Sequence, residues 1–199
     1  APPFVADPGM SVATASAVMS THKIGCLPIM NGERLIGIVT RTDMLTFLAH
    51  ERVPRAWPEL CVADVMQSSP VTVHANESLA YAAVKMLRNG VRHLPVVDVA
   101  NHVLGMLSDR DLRSAIGDPE LLTDAAQAPL RLDQRTVGDV MTRIPAVVRP
   151  SDPLTHVAER LSEEQLGALI VIDEQLRLLG IVSYVDVLQA MLATAGRSH

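Results

Sequence analysis

Aromatic side chains make up only 3% of this 199-residue chain, with two Phe, two Tyr and one Trp. That scarcity argues against the stacking platforms on which proteins hold single-stranded nucleic acid. Positive charge is also in short supply: 17 Lys and Arg face 22 Asp and Glu, for a net charge of −5. With no basic stripe to displace counterions from phosphates, nucleic acid is excluded as the main partner. Although 48% of the residues are apolar, no uninterrupted apolar run reaches membrane-spanning length, so no bilayer span is expected. There are two cysteines, Cys26 and Cys61. Their spacing suits neither a metal site nor a disulfide scaffold, which points to a reducing, cytoplasmic setting. No signal peptide is expected before the first patterned segment.

What the chain does have is one pattern in three copies. Gly37-Ile-Val-Thr40-Arg-Thr-Asp43, Gly105-Met-Leu-Ser108-Asp-Arg-Asp111 and Gly180-Ile-Val-Ser183-Tyr-Val-Asp186 each read glycine, two apolar residues, Ser or Thr, two variable residues, then Asp. The correspondence runs upstream through Pro3, Pro70 and Pro145, then Val12, Leu79 and Leu154, then Ile24, Val91 and Leu166. Copies one and two keep a single offset except for one residue inserted near Val99–His102. A fixed period sets the unit of architecture, here a module of roughly 50 residues. Copies two and three are preceded by Val62-Ala-Asp-Val-Met66 and Val137-Gly-Asp-Val-Met141. Copy one begins at Ala1 without such a lead-in, and is expected to be N-terminally truncated.

Copy two is the clearest to read. Val71-Thr72-Val73 is a β-branched run, so a short strand is expected. Asn76-Glu77-Ser78 supplies capping chemistry, and Leu79, Ala82, Ala83, Met86 and Leu87 recur at helical spacing. Asn89-Gly90 is a helix C-terminal signal. Leu94–Val97 and Val103–Leu107 are two further strands joined by a turn over Asp98–Asn101, and Pro95 suits an edge or strand-start position. Ser108 starts a second helix running to Ile116. Copy three repeats the plan, with Ser151-Asp152-Pro153 as cap and first-turn proline. The fold class is α/β (α+β), each copy ordered β-α-β-β-α. Two helices on one face of a three-stranded sheet leave the other face apolar, so copies are expected to pair sheet to sheet. His50–Cys61 and Gly117–Arg135 read as surface linkers, each with about one helical turn.

These copies resemble cystathionine β-synthase (CBS) domains, the regulatory repeats whose pairs are called Bateman modules. The Asp-Val-Met lead-ins, Arg92-His-Leu-Pro-Val-Val-Asp98 and the three Gly-x-x-Ser/Thr-x-x-Asp endings carry the resemblance, which covers essentially the whole chain. Arg92–Arg113 together with Thr136–Met191 is also similar to the two-repeat proteins of the acetoin-utilisation type. The repeats are placed at residues 1–49, 62–116 and 136–192, the second and third forming one Bateman module. Repeat 1 then needs a mate, either an absent upstream repeat or a second chain, and a homodimer is expected.

The Ser/Thr-x-x-Asp element has a purely structural explanation as a capping box, with the Asp complementing the helix dipole. The functional reading keeps that geometry and adds a ligand. A helix N-terminus after a glycine-bearing strand suits a phosphate, and the carboxylate one turn in can accept ribose hydroxyls. The resemblance implies adenine-nucleotide sites between paired repeats, with the Asp on the ribose and the Ser/Thr facing phosphates. The implied nucleotide-binding set is Thr40, Asp43, Thr72, Arg92, His93, Ser108, Arg110, Asp111, Ser183 and Asp186. Only repeat 2 has the full cationic set. Repeats 1 and 3 carry Gly25-Cys26 and Gly167-Ala168 where repeat 2 has Arg92-His93, and Thr42 and Val185 where it has Arg110. A charged ligand at repeat 3 would need an arginine lent by repeat 2.

No nucleophile–histidine arrangement or metal-ligand spacing supports catalysis, and His22, His74, His102 and His156 read as surface residues. The expected protein is a non-enzymatic sensor of an adenosine-type ligand (AMP, ADP, ATP or S-adenosylmethionine) that needs no cofactor and acts on a regulated protein partner. The alternatives are a structural dimerisation module with degenerate sites, and a regulatory fragment of a larger enzyme, transporter or channel.

Overall fold

The structure, a computed structural model, describes residues 3–22, 24–50, 60–116 and 134–195. Both expected linkers lie mostly outside the described residues. Repeat 1 comprises α1 (Val12–Thr21), β1 (Cys26–Asn31), β2 (Arg34–Thr40) and α2 (Arg41–His50). Its successor has α3 (Val62–Val65) and β3 (Gln67–Ser68) in the lead-in, then α4 (Leu79–Asn89), β4 (His93–Val97), β5 (Val103–Ser108) and α5 (Asp109–Ile116). In repeat 3 a 3-10 turn over Val137–Asp139 precedes β6 (Val147–Val148), α6 (Leu154–Glu163), β7 (Ala168–Ile172), β8 (Leu178–Ser183) and α7 (Tyr184–Ala195). The mixed α+β class and the repeat order are as the sequence implies.

Local chemistry explains most element ends. Ser11 and Ser78 cap α1 and α4 by accepting the amides of Thr14 and Tyr81, the hydroxyl role that favours Ser there. Gly90 closes α4 in the left-handed region, φ 62°, where a side chain would be strained. On α6 the expected stripe is buried: Leu154, Val157, Ala158 and Leu161. On α4 it is narrower, for Leu87 is 83% exposed while Leu79, Ala82 and Met86 are buried. The cap of α6 also differs: Pro153 occupies the N-cap position itself, and Asp152 instead accepts the Arg149 amide at 2.8 Å.

The expected first strand of repeats 1 and 2 shrinks to a single parallel bridge, Ala6 with Ile29 and Val73 with Val96. Proline is the reason. In repeat 2, Val73 N–H donates to Pro95 O and Val97 N–H donates to Val73 O, but Pro95 has no N–H with which to extend the ladder. Pro28 stands in the same place in repeat 1, accepting from Ala6 at 2.8 Å. Repeat 3 has Ile170 there, which donates to Ala146 O at 3.1 Å, and β6 forms. Thus β1–β2 and β4–β5 are antiparallel two-stranded hairpins, whereas repeat 3 carries the order β3-β8-β7-β6.

The chain divides into two compact units: residues 1–66, 148–169 and 182–199 form the first, and 67–147 and 170–181 the second. In the first, repeat 1 meets repeat 3 through helices, α1 on α7 and α2 on α6. Ser16 and Ser20 are buried on α1, small residues that allow close approach, and Thr46 and Ser162 hydroxyls hydrogen-bond at 2.7 Å. In the second unit, the turn of β4–β5 meets the turn of β7–β8 reciprocally. Leu178 N–H donates to Asn101 O at 3.0 Å, and Val103 N–H donates to Leu176 O at 3.1 Å. Asn101 and Leu176 both hold positive φ, 66° and 62°, which is uncommon for residues other than glycine.

The lead-ins dock on each other's repeats. In the first unit Val62 N–H donates to Asp152 O and Leu154 N–H donates to Leu60 O, at 2.9 and 3.0 Å. In the second, Val137 N–H donates to Glu77 O at 2.9 Å and Gly138 N–H to Ala75 O at 2.8 Å. Val137 and Met141 thereby join Leu79, Met86, Leu94 and Leu107 in the core of repeat 2.

Candidate nucleotide site

Three helix starts share a carboxylate cap. The Thr40 amide and hydroxyl both donate to Asp43 Oδ2, at 2.8 and 2.7 Å, and the Asp43 amide donates back to Thr40 Oγ1 at 3.2 Å. Ser108 and Asp111 do the same at 2.7, 2.7 and 3.3 Å. The Ser183 amide and hydroxyl reach Asp186 Oδ2 at 2.7 and 2.6 Å. The reciprocal capping box is therefore present in repeats 1 and 2, and its carboxylate half in repeat 3. It is also not specific, since Thr136 and Asp139 make it in a lead-in, at 2.8 and 2.9 Å. There the Thr136 amide, then its hydroxyl, hold the Asp139 carboxyl below its usual range.

A second feature is confined to the three repeat endings. The first helical amide is taken by the carbonyl that opens the preceding hairpin: Arg41 to Gly25 O at 2.8 Å, Asp109 to Arg92 O at 2.9 Å, Tyr184 to Gly167 O at 3.3 Å. A helix cannot satisfy its own first amides. These contacts occupy the first amide in all three repeats and the third in repeats 1 and 2, and the second, that of Thr42, Arg110 or Val185, is not among them. The carboxylates likewise use Oδ2 in the cap, and no described hydrogen bond engages Oδ1 of Asp43, Asp111 or Asp186.

In the second unit this geometry brings together most of the expected set. His93 lies opposite Ser108 in the β4–β5 register, Arg92 is bonded through its carbonyl to the start of α5, and Arg110 is exposed on that helix's first turn. Thr72 precedes Val73, which pairs with β4. In the first unit Thr40 and Asp43 stand at the start of α2, and Ser183 and Asp186 at the start of α7. A contact absent from the sequence reading links these two starts: the Arg41 guanidinium lies over the Tyr184 ring, 5.0 Å from its centroid. Both residues immediately follow the motif hydroxyl, so the signal lay in two equivalent positions of the repeat. Among the described residues no group of three His, Cys, Asp or Glu could hold a metal. No described helix is long and apolar enough to cross a membrane. Both cysteines are free. Of the four histidines read as surface residues, His102 is half-buried, with Nδ1 3.0 Å from Asp98 Oδ2.

The chain is similar to proteins of known sequence and structure. The protein MJ1225 of Methanocaldococcus jannaschii is 28% identical over 171 residues, covering 85% of this chain and 59% of that protein. Its crystal structure superposes with TM-score 0.81 at 25% identity, over 94% of this chain and 66% of the other. CBSX2 in complex with AMP is 29% identical with TM-score 0.58, covering 68% of this chain and 98% of that one; CBSX2 is from Arabidopsis thaliana. The CBS domain pair of protein MJ0100, bound to 5′-methylthioadenosine and S-adenosyl-L-methionine, is 26% identical with TM-score 0.55, over 66% of this chain and 94% of that one. The chain spans as little as 21% of the length of some curated relatives it matches. Matches to the CBS domain cover residues 1–50, 62–118 and 137–193, and with three repeats of that domain the chain belongs to the CBS-domain family.

Proposed function

We propose that this chain is a non-catalytic, cytoplasmic sensor of an adenosine-type ligand, and that repeat 2 provides its principal binding residues. The observation that carries this is Asp111. One carboxylate oxygen is spent on the Ser108 cap, while Oδ1 has no described partner beside a strand opened by Arg92 and His93. A ribose would take Oδ1, and a phosphate would lie toward the α5 N-terminus with Arg92, His93 and Arg110. Relatives bound to AMP, and to 5′-methylthioadenosine with S-adenosyl-L-methionine, support that chemical class. Thr40, Asp43, Ser183 and Asp186 supply the same acceptors without the cationic set, and repeats 2 and 3 act as one Bateman module. Binding would act by population shift, favouring one packing of the repeats and passing that choice to a regulated partner protein.

Calorimetric titration with AMP, ADP, ATP and S-adenosylmethionine tests the reading. Binding of at least one, weakened steeply by Asp111→Asn while 2′,3′-dideoxy-AMP shows no further loss in that variant, is the expected result. Normal AMP binding by Asp111→Asn with a lowered melting midpoint would reduce the carboxylate to a cap.

A second reading rests on the hairpin of repeat 1. Leu35, Ile36 and Ile38 are 62%, 49% and 59% exposed, an apolar patch that favours pairing with another repeat. We read the solution state as a homodimer.

A further inference from the structure

The same strand position differs sharply between repeats. In repeat 2 the residue after the motif glycine, Met106, is 8% exposed, and in repeat 3 its equivalent, Ile181, is 7% exposed. Ile38, their counterpart in repeat 1, is 59% exposed. What covers the first two is an extended segment from the other repeat's lead-in, docked in one register. Thr142, the residue after Met141, exchanges both backbone hydrogen bonds with Met106, at 3.0 and 2.9 Å. Gln67, the residue after Met66, lies opposite Ile181 in the antiparallel β3–β8 pair. On Ile38 no described residue takes that place, and β2 pairs with β1 alone.

The glycine just before shows the same contrast. A Cβ on Gly105 would lie 2.6 Å from Thr142 O and 2.8 Å from Met141 Sδ, so its bare Cα is what admits the docked strand. A Cβ on Gly37 would meet nothing nearer than Ile29 Cδ1 at 3.7 Å. Nothing in repeat 1 itself requires a glycine here, and its φ is not in the left-handed region. Repeat 1 thus keeps the clearance for a strand that is not among the described residues, flanked by the exposed apolar residues such a strand would cover.

We propose that the outer edge of β2 at Gly37–Ile38 is a docking site for the lead-in strand of a further repeat of this family. It would add antiparallel by backbone pairing to Ile38, with the lead-in methionine over Gly37. The partner is defined by chemistry: an extended Val-x-Asp-Val-Met segment followed by a small or polar residue. This site shares with the pairing reading above the premise that repeat 1 has a mate. It does not depend on any nucleotide.

A synthetic peptide of residues 136–147 is the probe, added at up to millimolar concentration to the full chain. Amide exchange by NMR and mass by light scattering are the readouts. Exchange at Ile38 should slow by about tenfold or more at saturation. Gly37→Ala should abolish that protection with an unchanged melting midpoint, and Ile38→Glu should weaken it. Unchanged exchange at Ile38, or full protection in Gly37→Ala, overturns the proposal. A dimer that forms without peptide and dissolves in Gly37→Ala also overturns it, giving the edge to β2 of a second copy. Peptide protection on a chain that stays monomeric supports the docking site and defeats the homodimer reading instead.

Discussion

Repeats 1 and 2 share a hairpin, two helices and a capped Asp, yet among the described residues repeat 2 is finished by borrowed residues and repeat 1 is not. In repeat 2, Val137 and Met141 arrive from the next lead-in and complete the core; the hairpin of repeat 1 leaves Leu35, Ile36 and Ile38 in the open. The lesson is that the unit of stability here is larger than the unit of sequence. A repeat is a half-built object whose last core residues come from a neighbour, as stacked-repeat architectures require.

The comparison breaks most easily at the borrowed residues. Met141→Ala removes a side chain only 9% exposed and should cost about 2–5 kcal/mol, read as a fall in urea midpoint; a loss below 1 kcal/mol would mean that the lead-in is an accessory. Next comes the glycine pair. Gly105→Ala must push aside the backbone of Thr142, at 2.6 Å, and should destabilise by about 1–3 kcal/mol. Gly37→Ala should leave the midpoint essentially unmoved, and equal effects would erase the contrast.

Ligand binding separates the repeats a second way. Arg92→Ala should weaken AMP or ATP by about tenfold to a hundredfold, the equivalent of roughly 1.5–3 kcal/mol for a charge-assisted bond, and adenosine much less. In repeat 1, where Gly25 occupies that position, Asp43→Asn should change AMP affinity far less than Asp111→Asn does. Titration calorimetry on the two variants orders them.

The smallest effect is set by pH. Asp64 and Asp139 hold the two lead-in turns, each carboxyl lowered from 3.8 chiefly by the backbone amide it accepts, from Cys61 and Thr136 respectively. A carboxyl lowered on folding contributes stability that is complete above its unfolded value and is lost as pH falls through the folded one. Thermal midpoints should therefore be insensitive to these groups above about pH 5 and should decline below about pH 4. Asp64→Asn and Asp139→Asn should flatten that decline.

Much of this was readable in the chain, because the signals were local. Periodicity placed α4 and α6, Gly90 marked the end of one of them, and the Ser/Thr-x-x-Asp spacing placed three capped helix starts. The reading erred where the deciding partner was remote or a single atom was missing. Val71–Val73 looked like a strand by composition, but Pro95 offers no donor, so one bridge is all that forms. Leu87 fitted the helical stripe and is solvent-exposed, while Leu79, Ala82 and Met86 are buried. The swap of the lead-ins left no local mark, and the stacking of Arg41 on Tyr184 left only the equivalence of their positions in the repeat.

The swap also sets a schedule for making the protein. During synthesis the second repeat can form its hairpin and helices as they emerge, but its interior stays unsealed until Met141 has cleared the ribosome. The segment that begins at Leu60 must wait longer, for Asp152 and Leu154, its hydrogen-bonding partners, are made some ninety residues later. Chain growth at about 5–20 residues per second makes that a delay of several seconds. Until Met141 is made, the nascent second repeat exposes the apolar surface that its neighbour's lead-in later covers.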